Sequence, residues 1–218
     1  MGFILDIIFP QKCGICGKIS TVLCENCKNT LEKHKINLEK ENIVKLDNKN
    51  IKVKEFYIFK YEGMVRKLLI NYKFNDNSYL ADMFSKIILD NKKICRFLKN
   101  YDIIVPVPLH KKRKLERGYN QVELIAKKLE NIKLETTSLV KVRNIKPQST
   151  KNVKDRILDI KGVYNLENIE KIKGKRILLF DDIYTTGSTI NECVKVLGKY
   201  TNEIGVLILA KDYMEVRN

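Results

Sequence analysis

The chain has 218 residues, 44% of them apolar, which is enough for one globular domain and a small additional module. Its 42 lysines and arginines against 26 acidic residues give a net charge of +16. This excess indicates an anionic partner such as a nucleic acid, a membrane surface or a phosphorylated small molecule, although a merely solvated lysine-rich surface gives the same balance. No apolar run reaches the roughly 20 residues of a membrane-spanning helix, and no export signal is recognisable, so we expect a cytoplasmic protein.

Two regions follow one another along the chain. Residues 1–50 are expected to form a small metal-binding module and a linker, and residues 51–218 a single α/β domain. Within the first region, residues 1–10 predict a short helix that packs on the body of the protein. Residues 31–53 are charged and weakly patterned, which favours a connecting segment.

The N-terminal region contains two Cys-x2-Cys pairs separated by seven residues: Cys13, Cys16, Cys24 and Cys27. In a reducing compartment, such pairs favour four thiolates around one structural Zn²⁺ over the alternatives, which are two disulfides or redox-active pairs. Metal binding would also explain how a piece of about 30 residues folds at all, since so short a chain buries little surface. Cys95 and Cys193 stand alone and are expected to be small buried apolar residues.

The larger region alternates strands and helices. Strands are predicted at residues 56–61, 103–107, 177–180 and 205–211, and helices at 64–74, 79–89, 120–129 and 189–199. This alternation predicts a parallel sheet flanked by helices, with 177–180 buried on both faces. Residues 144–162 predict a long loop, which inside a compact domain is usually functional or disordered.

An acidic pair followed by a Gly-, Ser- and Thr-rich turn is the most informative pattern. Asp181 and Asp182 follow the apolar run, at the end of a strand where open α/β sheets bind ligands. The turn offers backbone N–H groups and hydroxyls to a phosphate at the start of a helix, from Thr185, Thr186, Gly187, Ser188 and Thr189. Two carboxylates beside a bound phosphate are well suited to accept hydrogen bonds from ribose hydroxyls. The simpler alternative makes Asp182 a turn residue and Thr189 a helix cap.

The run ILLFDDIYTTGST resembles the motif with which type I phosphoribosyltransferases bind phosphoribosyl pyrophosphate (PRPP). The resemblance implies that Asp181 and Asp182 bind the ribose hydroxyls and that the turn binds the 5′-phosphate. It also implies a Mg²⁺ ion that bridges ribose and pyrophosphate oxygens.

A wider resemblance covers nearly the whole chain. The segments FPQKCGIC with LCENC, INYKFNDNSYLA, VPVPLHKKRKLERGYNQVELIA and KVRNIKPQSTKNVKDRILDIKGVY occur in the order found in the ComF family, which includes competence proteins of the ComFC and GntX type. This family is known for a role in DNA uptake and natural transformation. The resemblance implies a type I phosphoribosyltransferase-like fold after the zinc module.

The same resemblance implies roles for two further segments. The loop of Pro108, Leu109 and His110 would hold the pyrophosphate. Residues 144–162 would close over the site, where Gln148 and Arg156 match family positions and Arg156 is a candidate catalytic residue. Asp159 stands where the family often has an asparagine.

A dense basic run follows the pyrophosphate loop: Lys111, Lys112, Arg113, Lys114 and Arg117. This run predicts a site that binds pyrophosphate or the backbone of a polynucleotide. The alternative is a basic loop whose charges are only solvated. Arg113 and Arg117 are the candidates for PRPP binding. Asn120 is expected to cap the following helix.

Two functional hypotheses result. The first is an enzyme that transfers ribosyl 5-phosphate from PRPP to an unknown acceptor. The second is a non-catalytic adaptor that binds PRPP or a nucleotide together with single-stranded DNA or DNA-processing proteins. No residue specific for an acceptor is recognisable in the sequence.

Overall fold

The computed structural model describes residues 12–19, 21–46, 49–74, 77–144, 160–201 and 203–213. The helix predicted for residues 1–10 and most of the loop predicted for 144–162 lie outside these residues. Among the described residues, no helix is both long enough and apolar enough to cross a membrane.

Helices and strands alternate through the described part of the chain. The helices are α1 Glu25–Lys33, α2 Gly63–Phe74, α3 Leu80–Leu89, α4 Lys92–Leu98, α5 Lys111–Arg117, α6 Gln121–Ala126 and α7 Ser188–Leu197. The strands are β1 Lys35–Lys45, β2 Asn50–Lys60, β3 Ile103–Pro106, β4 Lys133–Leu134, β5 Leu139–Lys141, β6 Tyr164–Leu166, β7 Ile177–Tyr184 and β8 Ile204–Lys211. All eight elements predicted for the larger region are present, with ends shifted by a few residues.

One sheet of six strands organises the described residues, in the order β1-β2-β8-β7-β3-β4. Every neighbouring pair is parallel except β1 with β2, so the predicted parallel sheet is confirmed. The first four residues of β7, Ile177 to Phe180, and nearly all of β8 are apolar and buried, as expected for central strands covered on both faces. One face packs against a core that includes α2, α3 and α6, and the other against a core that includes α7.

The structure corrects the interpretation of residues 31–53 as a connecting segment. This stretch contains the end of α1 and most of an antiparallel hairpin, in which Val44 of β1 pairs with Ile51 of β2. An edge strand with one face in solvent tolerates many charged residues, which is why its apolar pattern is weak. Glu41 and Lys52 pair across the exposed face at 2.7 Å.

The cysteine-rich segment packs directly on α2 and α3. Gly14 lies so close to Leu80 that a Cβ atom would come within 2.5 Å of the leucine side chain, and its carbonyl accepts a hydrogen bond from Asn71 Nδ2 at 3.1 Å. Leu31 of α1 belongs to the main core. The segment is therefore fixed to the same helix, α2, that ends at the candidate site.

Candidate functional site

Strand β7 continues through the acidic pair, whereas the sequence predicted that it ends at Phe180. The ladder to β8 runs on from Asp181 opposite Ile208 to Tyr184 opposite Lys211. The ladder to β3 stops at Pro106 opposite Phe180. The β8 ladder thus holds both carboxylates in extended backbone beyond the end of β3, in the crevice at the carboxyl edge of the sheet.

The first carboxylate, Asp181, is partly buried and accepts a hydrogen bond from the backbone N–H of Asp182 at 2.9 Å. Burial, and then the negative charge of Asp182, raise the pKa of Asp181 from its ordinary 3.8 to about 7, while Lys73 and Lys141 oppose the increase. A ligand that donates hydrogen bonds to this carboxylate favours its ionised form. Asp181 therefore costs stability in the absence of such a ligand.

The second carboxylate, Asp182, pairs with a lysine that sequence reasoning missed. Lys73 Nζ lies 2.8 Å from Asp182 Oδ2, and both side chains are largely buried, with 19% and 16% of their surface exposed. Lys73 stands near the end of α2 in the segment INYKFNDNSYLA. The available signal was a lysine flanked by two aromatic residues, Tyr72 and Phe74. The fold, not the local pattern, brings it to β7.

A second cation that the sequence left unassigned, Lys141 on β5, lies near Asp181. Its Nζ is 5.3 Å from the centre of the Tyr164 ring. Burial, and then the positive charge of Arg113, lower the pKa of Lys141, whereas Asp181 raises it. Lys141 and Arg113 therefore place two positive charges on the Asp181 side of the site.

The turn predicted to bind phosphate joins β7 to α7. Gly187 has φ of 74° and its position is packed against the Tyr184 hydroxyl, so a side chain is excluded both by the backbone angle and by lack of space. The hydroxyls of Thr186 and Ser188 lie 2.6 Å apart. Gly187, not Thr189, occupies the N-cap position of the ten-residue helix α7. The turn thus presents hydroxyls at a helix N-terminus, which favours an anion.

The loop of Pro108, Leu109 and His110 follows β3 and lies beside the acidic pair, because β3 and β7 are parallel neighbours. All three residues are partly exposed. Asn120 Nδ2 donates to the Val107 carbonyl at 3.0 Å and makes no cap hydrogen bond, so the expected capping role is corrected to one of holding the start of this loop. His110 Nδ1 accepts from the Lys112 N–H and caps α5.

The basic run forms helix α5, which the sequence did not predict as a helix. Arg117 Nη1 donates to Gln121 Oε1 at 3.0 Å, and its guanidinium lies 5.3 Å from the centre of the Phe74 ring. Lys114 pairs with Glu123 at 2.8 Å. A cavity of about 660 Å³ lies between the end of α2 and the α5–α6 turn, lined by Lys73, Phe74, Arg113, Leu115, Glu116, Arg117, Gly118 and Tyr119.

The structure therefore brings most predicted site residues to one edge of the sheet. Asp181, Asp182, the turn at 185–189 and the loop at 108–110 follow the neighbouring strands β7 and β3. Arg113 and Arg117 lie on the adjacent helix α5. Gln148, Arg156 and Asp159 lie outside the described residues.

The four cysteines form a separate cluster. All four sulfur atoms lie within 4.8 Å of one another, and Cys13 and Cys27 are buried. Burial raises the pKa of Cys13, but backbone N–H groups, including that of Cys16, overcome this effect and lower the pKa to about 6. Burial raises the pKa of Cys27, so the two buried thiols shift in opposite directions. The closeness of all four sulfur atoms is what would allow the cluster to hold a metal ion.

The raised pKa of Asp181 leads to a stability prediction. A carboxyl with a folded-state pKa above its unfolded value makes folding less favourable as the pH rises from about 4 to about 7. We expect Asp181→Asn to stabilise the ligand-free protein at pH 8 by on the order of 2 kcal/mol. The gain should shrink to about half a kcal/mol near pH 4, because the folded carboxyl is then protonated and the unfolded one, with its ordinary pKa of 3.8, is nearly half protonated. Urea unfolding at the two pH values measures it.

Asp102 provides a control of opposite sign. Its hydrogen bonds to the Arg176 side chain and backbone lower its pKa to about 2, so its ionised form favours folding at neutral pH. Asp102→Asn should leave stability at pH 8 unchanged or slightly lower. A loss of stability in Asp181→Asn at pH 8 would contradict the assigned environment of Asp181.

Comparison with known proteins identifies the family. A family model described as the phosphoribosyl transferase domain matches residues 115–214. Competence protein F of Haemophilus influenzae is 29% identical over 93% of this chain and 85% of its own length. Competence protein ComFC of Bacillus subtilis is 27% identical over 85% of this chain and 70% of its own length. Competence protein ComFC of Streptococcus pneumoniae is 31% identical over 79% of this chain and 74% of its own length. The chain therefore belongs to the ComF family of type I phosphoribosyltransferase-like proteins.

Proposed function

We propose that the protein binds PRPP with Mg²⁺ at the carboxyl edge of β7 and transfers its ribosyl 5-phosphate to an acceptor. The single observation that supports this most strongly is the arrangement of Asp181 and Asp182 between the turn at 185–189 and the loop at 108–110. The turn at 185–189 suits a 5′-phosphate, the two carboxylates suit two ribose hydroxyls, and the loop at 108–110 suits a pyrophosphate. The match to the phosphoribosyl transferase domain supports the same assignment.

Each group of residues has a distinct task in this proposal. The N–H groups and hydroxyls of the turn hold the 5′-phosphate, as helix N-termini do for anions generally. Asp181 and Asp182 accept hydrogen bonds from the ribose hydroxyls, and Lys73 holds Asp182 in place at 2.8 Å. The 108–110 loop and Arg113 stabilise the pyrophosphate. Arg117 is the other arginine predicted to bind PRPP, and its guanidinium lies 5.3 Å from the centre of the Phe74 ring.

The reaction needs a positioned substrate and stabilised charge more than it needs a strong base. The bond between ribose C1 and the pyrophosphate oxygen breaks, and its electron pair leaves with pyrophosphate. A bond between C1 and the acceptor forms, and the acceptor's proton is released. Carboxylates near the ribose stabilise the positive charge that develops at C1, and the cations stabilise the leaving group.

Mg²⁺ fits this site, since it commonly binds substrate phosphates with one or two carboxylates and keeps several waters. When bound, it neutralises charge on the pyrophosphate. Among the described residues, Asp181 and Asp182 are the carboxylates that would hold it.

A test of the site replaces both carboxylates. We expect Asp181→Ala with Asp182→Ala to abolish Mg·PRPP binding in calorimetry, because the ribose loses both acceptors. Circular dichroism should show an intact fold, since neither side chain packs in the core. Asp102→Asn, at the opposite end of the parallel strands, is the matched control and should bind normally. Binding by the double variant at the parent's affinity would refute the site.

We also propose that the four-cysteine cluster binds one structural Zn²⁺. A tetrahedron of sulfurs about 2.3 Å from Zn²⁺ has edges of about 3.8 Å. The Cys16 and Cys24 sulfurs are 3.7 Å apart, which matches that edge and exceeds the about 2.05 Å of a disulfide. The turn that carries Cys13 and Cys16 and the first turn of α1, with Cys24 and Cys27, therefore present the thiolates in a geometry suited to the ion.

Metal analysis tests the zinc proposal. Purified protein should contain close to one zinc per chain. Cys24→Ser should lose the metal, because three thiolates and a hydroxyl bind Zn²⁺ weakly. Cys95→Ser removes a cysteine outside the cluster and should keep it. Full zinc retention in Cys24→Ser would exclude Cys24 as a ligand.

A second candidate activity, binding of single-stranded DNA, is favoured by the exposed lysines at the start of α5 and by the family's link to competence. The +16 charge exceeds what one PRPP molecule needs. DNA phosphates neutralised by such lysines release counterions, so binding should weaken steeply with salt. This activity is compatible with PRPP binding.

Two pairs of exposed lysines test the DNA proposal. Lys111 and Lys112 begin α5, and Lys92 and Lys93 begin α4 away from the site. We expect charge reversal of the first pair to glutamate to weaken binding of a labelled thymidine oligonucleotide at low salt far more than reversal of the second. Equal effects would mean that net charge alone attracts DNA. Absence of binding by the parent would refute the DNA activity and leave the PRPP proposal intact.

A further inference from the structure

The cavity between the end of α2 and the α5–α6 turn adjoins the acidic pair. Lys73 lines this cavity and also lies 2.8 Å from Asp182. A molecule inside it therefore lies next to whatever Asp182 holds. Its volume of about 660 Å³ is within the range of small-molecule sites, which is roughly 300–1,000 Å³.

The charges that face the cavity favour an anion. Lys73 and Arg117 contribute two positive charges besides that of Arg113, which is assigned to the pyrophosphate, and Glu116, an exposed side chain, contributes one negative charge. Burial, and secondarily the charge of Arg113, lower the pKa of Arg117, while Asp182 opposes them. A bound carboxylate or phosphate would relieve this crowding of like charges.

The cavity also offers aromatic surface to a flat ring. The Phe74 side chain is large and apolar, yet 69% of the residue's surface is exposed. The Arg117 guanidinium lies 5.3 Å from its ring centre, and Tyr119 lines the same cavity. A planar ligand stacked between such groups buries apolar surface that otherwise faces water.

We propose that this cavity is the acceptor site and that the acceptor is a small, flat ring bearing a carboxylate or a phosphate. The inference rests on the proposed PRPP site and adds the class of its second substrate. Phe74 stacks on the ring and Arg117 binds the anionic group, so that the ring lies beside the ribose held by Asp182.

A strand of nucleic acid fits the cavity less well. Single-stranded DNA is usually bound along an extended groove by successive aromatic residues and by cations that follow the backbone. Here the cations converge on one compact, half-open cavity beside a carboxylate pair. Convergent charge suits one compact anion.

Matched pairs of probes separate charge from ring shape. With Mg·PRPP present at saturation, ligand-observed NMR compares nicotinate with nicotinamide and orotate with uracil. We expect the charged member of at least one pair to bind about tenfold more tightly than its neutral partner, as one charge-assisted contact allows. Phe74→Ser and Arg117→Gln should each weaken that binding by about tenfold. Arg96→Gln, an exposed arginine on α4, should not.

Calorimetry of the parent with Mg·PRPP separates failure of this inference from failure of the proposed function. If Mg·PRPP binds but no charged ring does, or the neutral rings bind equally well, the acceptor inference is overturned and the PRPP site stands. If Phe74→Ser and Arg117→Gln instead lose thymidine oligonucleotide and keep the charged ring, the cavity is a nucleic-acid contact. If the parent does not bind Mg·PRPP, the proposed function and the acceptor role both fail.

Discussion

The hydrogen-bond ladder between β7 and β8 is the constraint on which the candidate site depends. It continues for four residues beyond the point where β3 stops pairing, from Asp181 to Tyr184. Two adjacent carboxylates are thereby fixed on extended backbone in a partly buried crevice. Flexible loop residues in the same place would turn towards water and keep ordinary pKa values. The ladder makes Asp181 costly without a ligand, and a partner that donates hydrogen bonds offsets that cost.

Helix α2 connects the cysteine cluster to this crevice. At one point Asn71 donates to the carbonyl of Gly14, and two residues later Lys73 reaches Asp182. Leu68 of the same helix lies in the main core beside Leu80 of α3, against which Gly14 packs. Loss of order in the cysteine segment should therefore reach the acidic pair through one short helix. A structural metal can in this way affect a distant site without touching a substrate.

The sequence predicted the parts of this molecule whose signals are local. The buried runs of β7 and β8 and the turn at 185–189 could be predicted because each depends on the pattern of apolar or turn-forming residues in a short consecutive stretch. Lys73 could not be assigned, because its partner lies over 100 residues away in the chain. Strand β1 was missed because an exposed edge strand rich in Lys and Glu resembles a solvated linker.

The sequence also could not give the partners of two side chains, because these partners are set by tertiary structure. Asn120 has the residue type and position of a helix cap, yet its amide holds the Val107 carbonyl. Arg117 lies in a run of cations that suggests phosphate binding, and the contact of its guanidinium with the Phe74 ring could not be read from that run. The helix that follows Asn120 was placed nearly correctly, whereas the helix that contains Arg117 was not predicted, and in both cases residues from another element decide the direction of the side chain.

A crystal structure of the protein with Mg²⁺ and PRPP tests the central claim most directly. We expect the two ribose hydroxyls within hydrogen-bond distance of Asp181 and Asp182, the 5′-phosphate on the turn at 185–189, and the pyrophosphate against the loop at 108–110. PRPP bound at another surface, or bound here with its ribose turned away from both carboxylates, would contradict the claim.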